Sequence, residues 1–137
     1  MDAKELEAVP LFAGLSKKER QQVAQHADVV DLPVGYHLCD QGAFAHEFFV
    51  LLSGTVEVTQ DGNHLTDLSA GDFFGEVALV AHDRRTASVV ASSPITAIVM
   101  HQRDFDAMQR SIPHVAEKIH EAVRARSPDQ ASDPSED

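Results

Sequence analysis

Gly71-Asp72-Phe73-Phe74-Gly75-Glu76-Val77-Ala78-Leu79, continued after Val80-Ala81-His82-Asp83-Arg84 by Arg85-Thr86-Ala87-Ser88-Val89, lies at the centre of the 137-residue chain. It reads as a glycine turn, a single helical turn from Gly75 to Val80, a short loop, and an arginine at the head of a strand. Unpaired backbone N–H groups at the start of such a turn suit an anion, and Gly75 lets that anion approach the backbone closely. The planar donor fork of Arg85 can clamp the same anion. Glu76 cannot serve that anion, because an ionised carboxylate only accepts hydrogen bonds. It requires a donor, such as a ribose hydroxyl. An anion, a neighbouring hydroxyl and a small strand-rich cavity together describe a nucleotide whose phosphate is held close to its sugar.

Around this helical misfit the chain is β in texture. From Val29 to about Val99, short apolar or alternating runs are punctuated by Gly35, Gly42, Gly54, Gly62 and Gly71, a spacing that predicts a small sandwich, roll or barrel. Phe48 to Leu52, Thr55 to Thr59 and Ala87 to Ala91 are expected strands, and Gln60-Asp61-Gly62-Asn63 a hairpin turn. His37 and Cys39 alternate along a further expected strand and should share a face. Helical texture flanks the β zone. Ser16 and Glu19 form a capping box ahead of a helix running to Ala27, with Val23 and Ala27 on one face. Phe105, Met108, Ile112, Val115, Ile119 and Val123 recur every three or four residues, and Pro113 divides them into two helices meeting at a bend. Val9-Pro10-Leu11-Phe12 is expected to pack on the domain as an apolar turn.

Composition narrows the function classes. With 43% hydrophobic and 24% charged residues the chain is expected to form one globular domain over residues 1–126, followed by a disordered acidic tail over 127–137 that has no large apolar residue. Twenty-two acidic against 11 basic residues make the net charge -11, which disfavours direct DNA or RNA binding and anionic membranes. The apolar runs are shorter than a membrane span, and the acidic start is unlike a secretory leader, so a cytosolic location is expected. One cysteine excludes an internal disulfide.

At the quoted stretch the sequence resembles the cyclic nucleotide-binding domain family, which includes the ligand domains of the catabolite activator protein and of cAMP-dependent kinase regulatory subunits. Phe74-Gly75-Glu76-Val77-Ala78-Leu79 through Arg85-Thr86-Ala87 is similar to the family's phosphate-binding cassette. Val9-Pro10-Leu11-Phe12 with Leu15-Ser16 is similar to its N-terminal segment, and Phe49-Val50-Leu51-Leu52-Ser53-Gly54 to its central strand and turn. The resemblance implies an α+β fold, an antiparallel β-roll (a double-stranded jelly roll) flanked by N- and C-terminal helices, with cAMP or, less favoured, cGMP in the roll and no reaction catalysed. It implies that Arg85 pairs with the cyclic phosphate and Glu76 takes the ribose 2′-hydroxyl. Gly75, Val77 and Ala78 would present backbone to sugar and phosphate, with Phe74 and Ala87 bordering them. Thr86 would touch the phosphate or, in members that prefer cGMP, the guanine amino group. Ala43 stands where the family often has an acidic residue, and His82-Asp83-Arg84 fill a variable loop.

Competing readings stay open at this level. Arg85 could simply salt-bridge Glu76 or Asp83, and Arg84 is expected to be a solvated neighbour. A ligand-free interaction module would keep the same fold. A metal-dependent cupin-like enzyme is suggested by His46-Glu47 followed by Gly54, but Gln41-Gly42-Ala43 stands where cupins place two further histidines, so no metal is expected. Cys39 is read as a buried or half-buried small side chain. The resulting expectation is a stand-alone sensor without catalytic residues, metal or cofactor. It binds no DNA, since no helix-turn-helix follows Arg126, and it signals to a protein partner through movement of the helix from Ile112 to Arg126, a lid over the ligand.

Overall fold

The computed structural model describes residues 1–126, so the expected tail over 127–137 lies outside the described residues. A 3₁₀ turn over Ala3–Ala8, absent from the sequence reading, opens the chain and is capped by the Asp2 side chain, which accepts from the Lys4 N–H at 3.0 Å. Helix α1 (Lys17–Gln25) follows, with both hydrogen bonds of the Ser16–Glu19 capping box formed. Eight strands come next: β1 (Asp28–Leu32), β2 (His37–Cys39), β3 (Glu47–Ser53), β4 (Val56–Gln60), β5 (Asn63–Leu68), β6 (Phe73–Phe74), β7 (Ser88–Ala91) and β8 (Ile95–His101). Helix α2 (Glu76–Ala81) interrupts them between β6 and β7, and α3 (Gln102–Ser111) and α4 (Pro113–Arg126) close the described chain, divided at Pro113.

The strands form two antiparallel sheets, ordered β1-β8-β3-β6 and β2-β7-β4-β5. This is a β-roll with helices on its flank. The continuous apolar run Phe48–Leu51 has a direct cause: β3 is buried on both faces. Phe48 and Val50 join a core with Phe12, Val23, Met100, Phe105, Ile112, Val115 and Ile119 beneath the helices, whereas Phe49 and Leu51 face the roll interior with Leu38, Val56, Phe74, Val89 and Ala97. Strand alternation sends neighbouring side chains to opposite sides. The hairpin joining β4 to β5 pairs Gln60 with Asn63, and Asp61 and Gly62 take φ of 54° and 79°, as a two-residue turn matched to strand twist requires.

One expectation fails. His37 and Cys39 do not share an environment, since the register shifts between them, His37 being exposed and Cys39 buried. An irregularity in the ladder breaks the period-two rule that the reading relied on. Helix α4 also divides in a way its apolar stripe did not reveal. Val115 and Ile119 are wholly buried in the helix-side core, while Val123 is half-buried and Arg126 exposed at the last turn.

Candidate functional site

Residue 75 must be glycine for two reasons. Its φ of 92° lies in the left-handed region, and a Cβ there would stand 3.0 Å from both Arg85 Nη1 and the Glu47 carbonyl oxygen. From this residue the chain enters α2, which Ala78 and Leu79 anchor in the helix-side core. With that side fixed, Glu76 is left on the side of the roll interior, 1% exposed. His82, with φ of 53°, ends the helix, and its Nδ1 lies 2.7 Å from Gln102 Nε2.

The returning segment is stapled before it reaches β7. The Arg85 N–H donates to the Ala43 carbonyl at 2.7 Å, and the Gly42 N–H donates to the Arg85 carbonyl at 2.9 Å. The Arg85 side chain is then directed inward and is 7% exposed. Its Nη1 donates to the Gly75 carbonyl at 2.9 Å and its Nη2 to the Glu47 carbonyl at 2.7 Å. Among the described residues it makes no ion pair, so a surface salt bridge to Glu76 or Asp83 is not what holds it. Adjacent Arg84 is exposed, as expected, but not idle: its guanidinium carbon sits 4.0 Å from the centre of the Phe44 ring and its Nη1 donates to the Gly42 carbonyl at 2.8 Å.

Phe74, Gly75, Glu76, Val77, Ala78, Arg85, Thr86 and Ala87 all line one cavity of about 340 Å³. The opposite wall comes from residues that the sequence reading did not single out for the site: Cys39, Val58, Gln60, Leu65, Thr66, Leu68 and Val89. Most of that wall is apolar, and Leu65 is an exposed large hydrophobic side chain, 55% accessible. The amide of Gln60 ties the two walls together by donating to the Thr86 carbonyl at 2.9 Å. A further cavity residue, Arg126, arrives from the end of α4. Its Nη1 lies 3.2 and 3.1 Å from the two Glu76 carboxylate oxygens and donates to the Phe73 carbonyl at 2.7 Å. No spacing rule relates positions 76 and 126, so only the packing of α4 could reveal this pair.

Burial is the main influence on both titratable groups of the wall. It raises the Glu76 carboxyl above its ordinary range, while Arg126, a backbone hydrogen bond and Arg85 pull it back. It also pushes the Cys39 thiol up to about 11. His46 and Glu47, the start of the cupin-like pattern, stand exposed and half-buried at the head of β3. Among the described residues no three His, Cys, Asp or Glu side chains gather as a metal site, and no helix is long and apolar enough to cross a membrane.

The site combines a buried cation whose protein partners are neutral carbonyls, a buried carboxylate acceptor, and an apolar wall facing both. Such a cavity can take an anion, a hydroxyl donor and a flat apolar ring at once. The model of the cyclic nucleotide-binding domain matches residues 29–111. The chain is 31% identical over 119 residues to a cyclic nucleotide-gated potassium channel of Rhizobium etli, covering 87% of this chain and 33% of the channel. It is 37% identical over 109 residues to the cGMP-dependent protein kinase, isozyme 1, of Drosophila melanogaster, covering 72% of this chain and 14% of the kinase. These relatives are thus at least three times longer than the matched region. In fold it is similar to the regulatory domain of Toxoplasma gondii PKA, solved with cAMP, with a TM-score of 0.77 and 22% identity over 88% of this chain and 48% of that one.

Proposed function

The chain belongs to the cyclic nucleotide-binding domain family, and from this we propose that its cavity binds a cyclic nucleotide, cAMP in preference to cGMP. The observation that carries this reading is Arg85. A guanidinium that is 7% exposed, hydrogen-bonded to two neutral carbonyls and in no ion pair among the described residues is costly to bury, and an anion in the cavity relieves that cost. Only two of its five N–H donors meet those carbonyls, and the others remain for phosphate oxygens. The Glu76 carboxylate accepts the ribose 2′-hydroxyl, and Val58, Leu65, Leu68 and Val89 supply apolar surface for the purine. Against that wall the amino group of guanine has few acceptors beyond the Thr86 and Thr66 hydroxyls, so the preference for cAMP is modest.

No step in this reading makes or breaks a covalent bond, and it needs neither metal nor cofactor. The protein acts as a cytoplasmic sensor that binds neither DNA nor membrane, and a protein partner reads its state. Because Val115 and Ile119 belong to the core, the movement that reports occupancy is confined to the last turns of α4, where Val123 only partly packs on that core and Arg126 reaches the cassette.

Calorimetric titration of nucleotide-stripped protein with cAMP and with cGMP tests the assignment. Arg85→Ala should lose about 2 to 5 kcal/mol of binding, roughly 30-fold or more in Kd, and Arg84→Ala little. Equal affinity in Arg85→Ala and wild type would remove the phosphate from this cavity. Absence of binding by wild type would leave the ligand-free interaction module standing.

A further inference from the structure

Strand β4 turns Val56, Val58 and Gln60 toward the roll interior, since alternate residues of a strand share a face. Val56 is buried, whereas Val58 and Gln60 line the cavity, and Gln60 carries the only side-chain amide among the described residues around it. The orientation of that amide is fixed by chemistry. A carbonyl oxygen can only accept, so Nε2 faces the Thr86 carbonyl at 2.9 Å, and Oε1 is left without a donor among the described residues. The strand end that carries Gln60 is held from a second side as well. The Asp61 N–H donates to Gln41 Oε1 at 2.8 Å, Gln41 Nε2 donates to Asp61 Oδ1 at 2.9 Å, and the Gln41 N–H donates to Ser88 Oγ at 2.9 Å. Beside it the β4–β5 ladder slips, so that Val58 pairs with Thr66 but Thr59 with His64. Leu65 is the extra residue, and this bulge lets the consecutive residues Leu65 and Thr66 both line the cavity.

We propose that Gln60 selects the base: its amide oxygen, locked in place by the Thr86 carbonyl, accepts a hydrogen bond from the 6-amino group of adenine. The inference rests on the cyclic nucleotide reading and deepens it by naming the group that favours adenine. Arg85 and Glu76 take the phosphate and the sugar, which every cyclic purine nucleotide shares, so neither can tell one base from another. The base is left the wall of β4, β5 and β7, where Val58, Leu65, Leu68 and Val89 offer apolar surface that suits any purine ring. Discrimination needs a polar group of fixed sense. A free amide could turn round and donate, but this one cannot do so without setting its oxygen against the Thr86 carbonyl oxygen. It therefore only accepts. Adenine presents an amino donor at C6, whereas guanine presents an oxygen there, which would leave two acceptors facing each other with no proton between them. The Thr66 and Thr86 hydroxyls can donate or accept, and so impose no such choice.

The test titrates wild type and Gln60→Met with cAMP, with the cyclic phosphate of purine riboside, which has hydrogen at C6, and with cGMP. Methionine is close to glutamine in length but has no amide. Comparing nucleotides within one variant cancels whatever freeing the Thr86 carbonyl does to all of them. Wild type should bind cAMP about threefold to tenfold more tightly than the purine analogue, the range for one neutral hydrogen bond, and Gln60→Met should bind the two alike. Its preference for cAMP over cGMP should shrink as well. An unchanged ratio of cAMP to purine-analogue affinity in Gln60→Met would reduce Gln60 to a staple for Thr86, and a loss confined to cGMP would give its oxygen to the 2-amino group of guanine. Either result overturns the proposal. Carbon NMR of the Gln60 side-chain carbonyl in wild type asks the same question without a substitution. That resonance should move further with cAMP than with the purine analogue, and equal shifts sink the proposal. Failure of the ligand reading looks different: wild type would bind none of the three nucleotides and both readings would fall, whereas binding with equal ratios removes this proposal alone.

Discussion

On the helix-facing side of the first sheet, Phe48, Val50, Ile98 and Met100 pack against Phe12, Phe105, Ile112 and Ile119, and each of these side chains is at most 1% exposed. On the other side, Phe49 and Leu51 pack with Phe74 and Val89, which line a cavity, and the two buried charged residues among those described, Glu76 and Arg85, stand there. One side is closed and without buried charge; the other is open and carries both charges. Helix α2 joins them, with Ala78 and Leu79 in the closed core and Glu76 at the cavity. The packed side therefore supplies the rigidity that lets the open side keep unfavourable groups in place.

The largest effect that distinguishes the sides should come from Phe105→Ala. Phe105 is wholly buried and its ring centre lies 4.9 Å from that of Phe48, so its truncation should cost about 3 to 5 kcal/mol in denaturant unfolding. The milder Phe105→Leu should leave nucleotide affinity unchanged once corrected for folded fraction, because Phe105 does not reach the cavity. A change in intrinsic affinity would show that the two sides are not separable.

Next in size is the behaviour of Cys39 on the open side. With its thiol pushed up to about 11 by burial, against an ordinary value of 9.0, alkylation by iodoacetamide at about pH 8 should be roughly 100-fold slower in folded than in guanidinium-unfolded protein from thiolate fraction alone. Saturating cAMP should slow it further by occupying the cavity. Rapid labelling of the folded protein would mean that the open side admits far more water than this packing allows.

The smallest effect concerns Glu76 and the stability of the unliganded fold. The folded-state pKa of Glu76 is raised above its ordinary 4.5, chiefly by burial. Folding therefore favours the protonated carboxyl, and its contribution is fully present below the unfolded pKa and lost as pH rises through the folded one. Glu76→Gln should thus raise the unfolding midpoint modestly at neutral pH, by less as the pH is lowered toward 4.5, while weakening cAMP binding. Exposed Arg126 can hydrate when its partner is neutral, so this gain should survive loss of the ion pair. Parallel loss of stability and affinity at neutral pH would make Glu76 a structural residue and erase the contrast between the sides.

Much of the architecture was legible because its causes are local. The Ser16–Glu19 capping box, the Asp61-Gly62 turn, the break at Pro113 and the doubly buried run of β3 each follow from side chains a few residues apart. The 3₁₀ turn at the start escaped notice because a single buried leucine, Leu6, anchors it and no periodic stripe marks it. In the site, Gly75, Glu76 and Arg85 were legible from their own chemistry and the other five cassette residues through the family resemblance, and all eight line one cavity. The opposite wall was not, because Val58, Leu65, Leu68 and Val89 are chemically ordinary strand residues whose place depends on how the second sheet folds over.

The sequence by itself determined the hairpin turn at Asp61-Gly62 and the break at Pro113, that runs such as Phe48 to Leu52 become strands and the flanking stripes helices, and that Gly75, Glu76 and Arg85 are brought together by one short helix and its loop. Those outcomes depend on φ restrictions, caps and periodicity, which act over a few residues. Only the tertiary structure decided that β2 buries Cys39 while exposing His37, that Gln60 holds the Thr86 carbonyl, and that Arg126 reaches Glu76 across 50 positions of chain. Each of these depends on the relative placement of elements distant in sequence, which is set by close packing of whole faces against one another, and no local pattern encodes the distance at which two such faces come to rest.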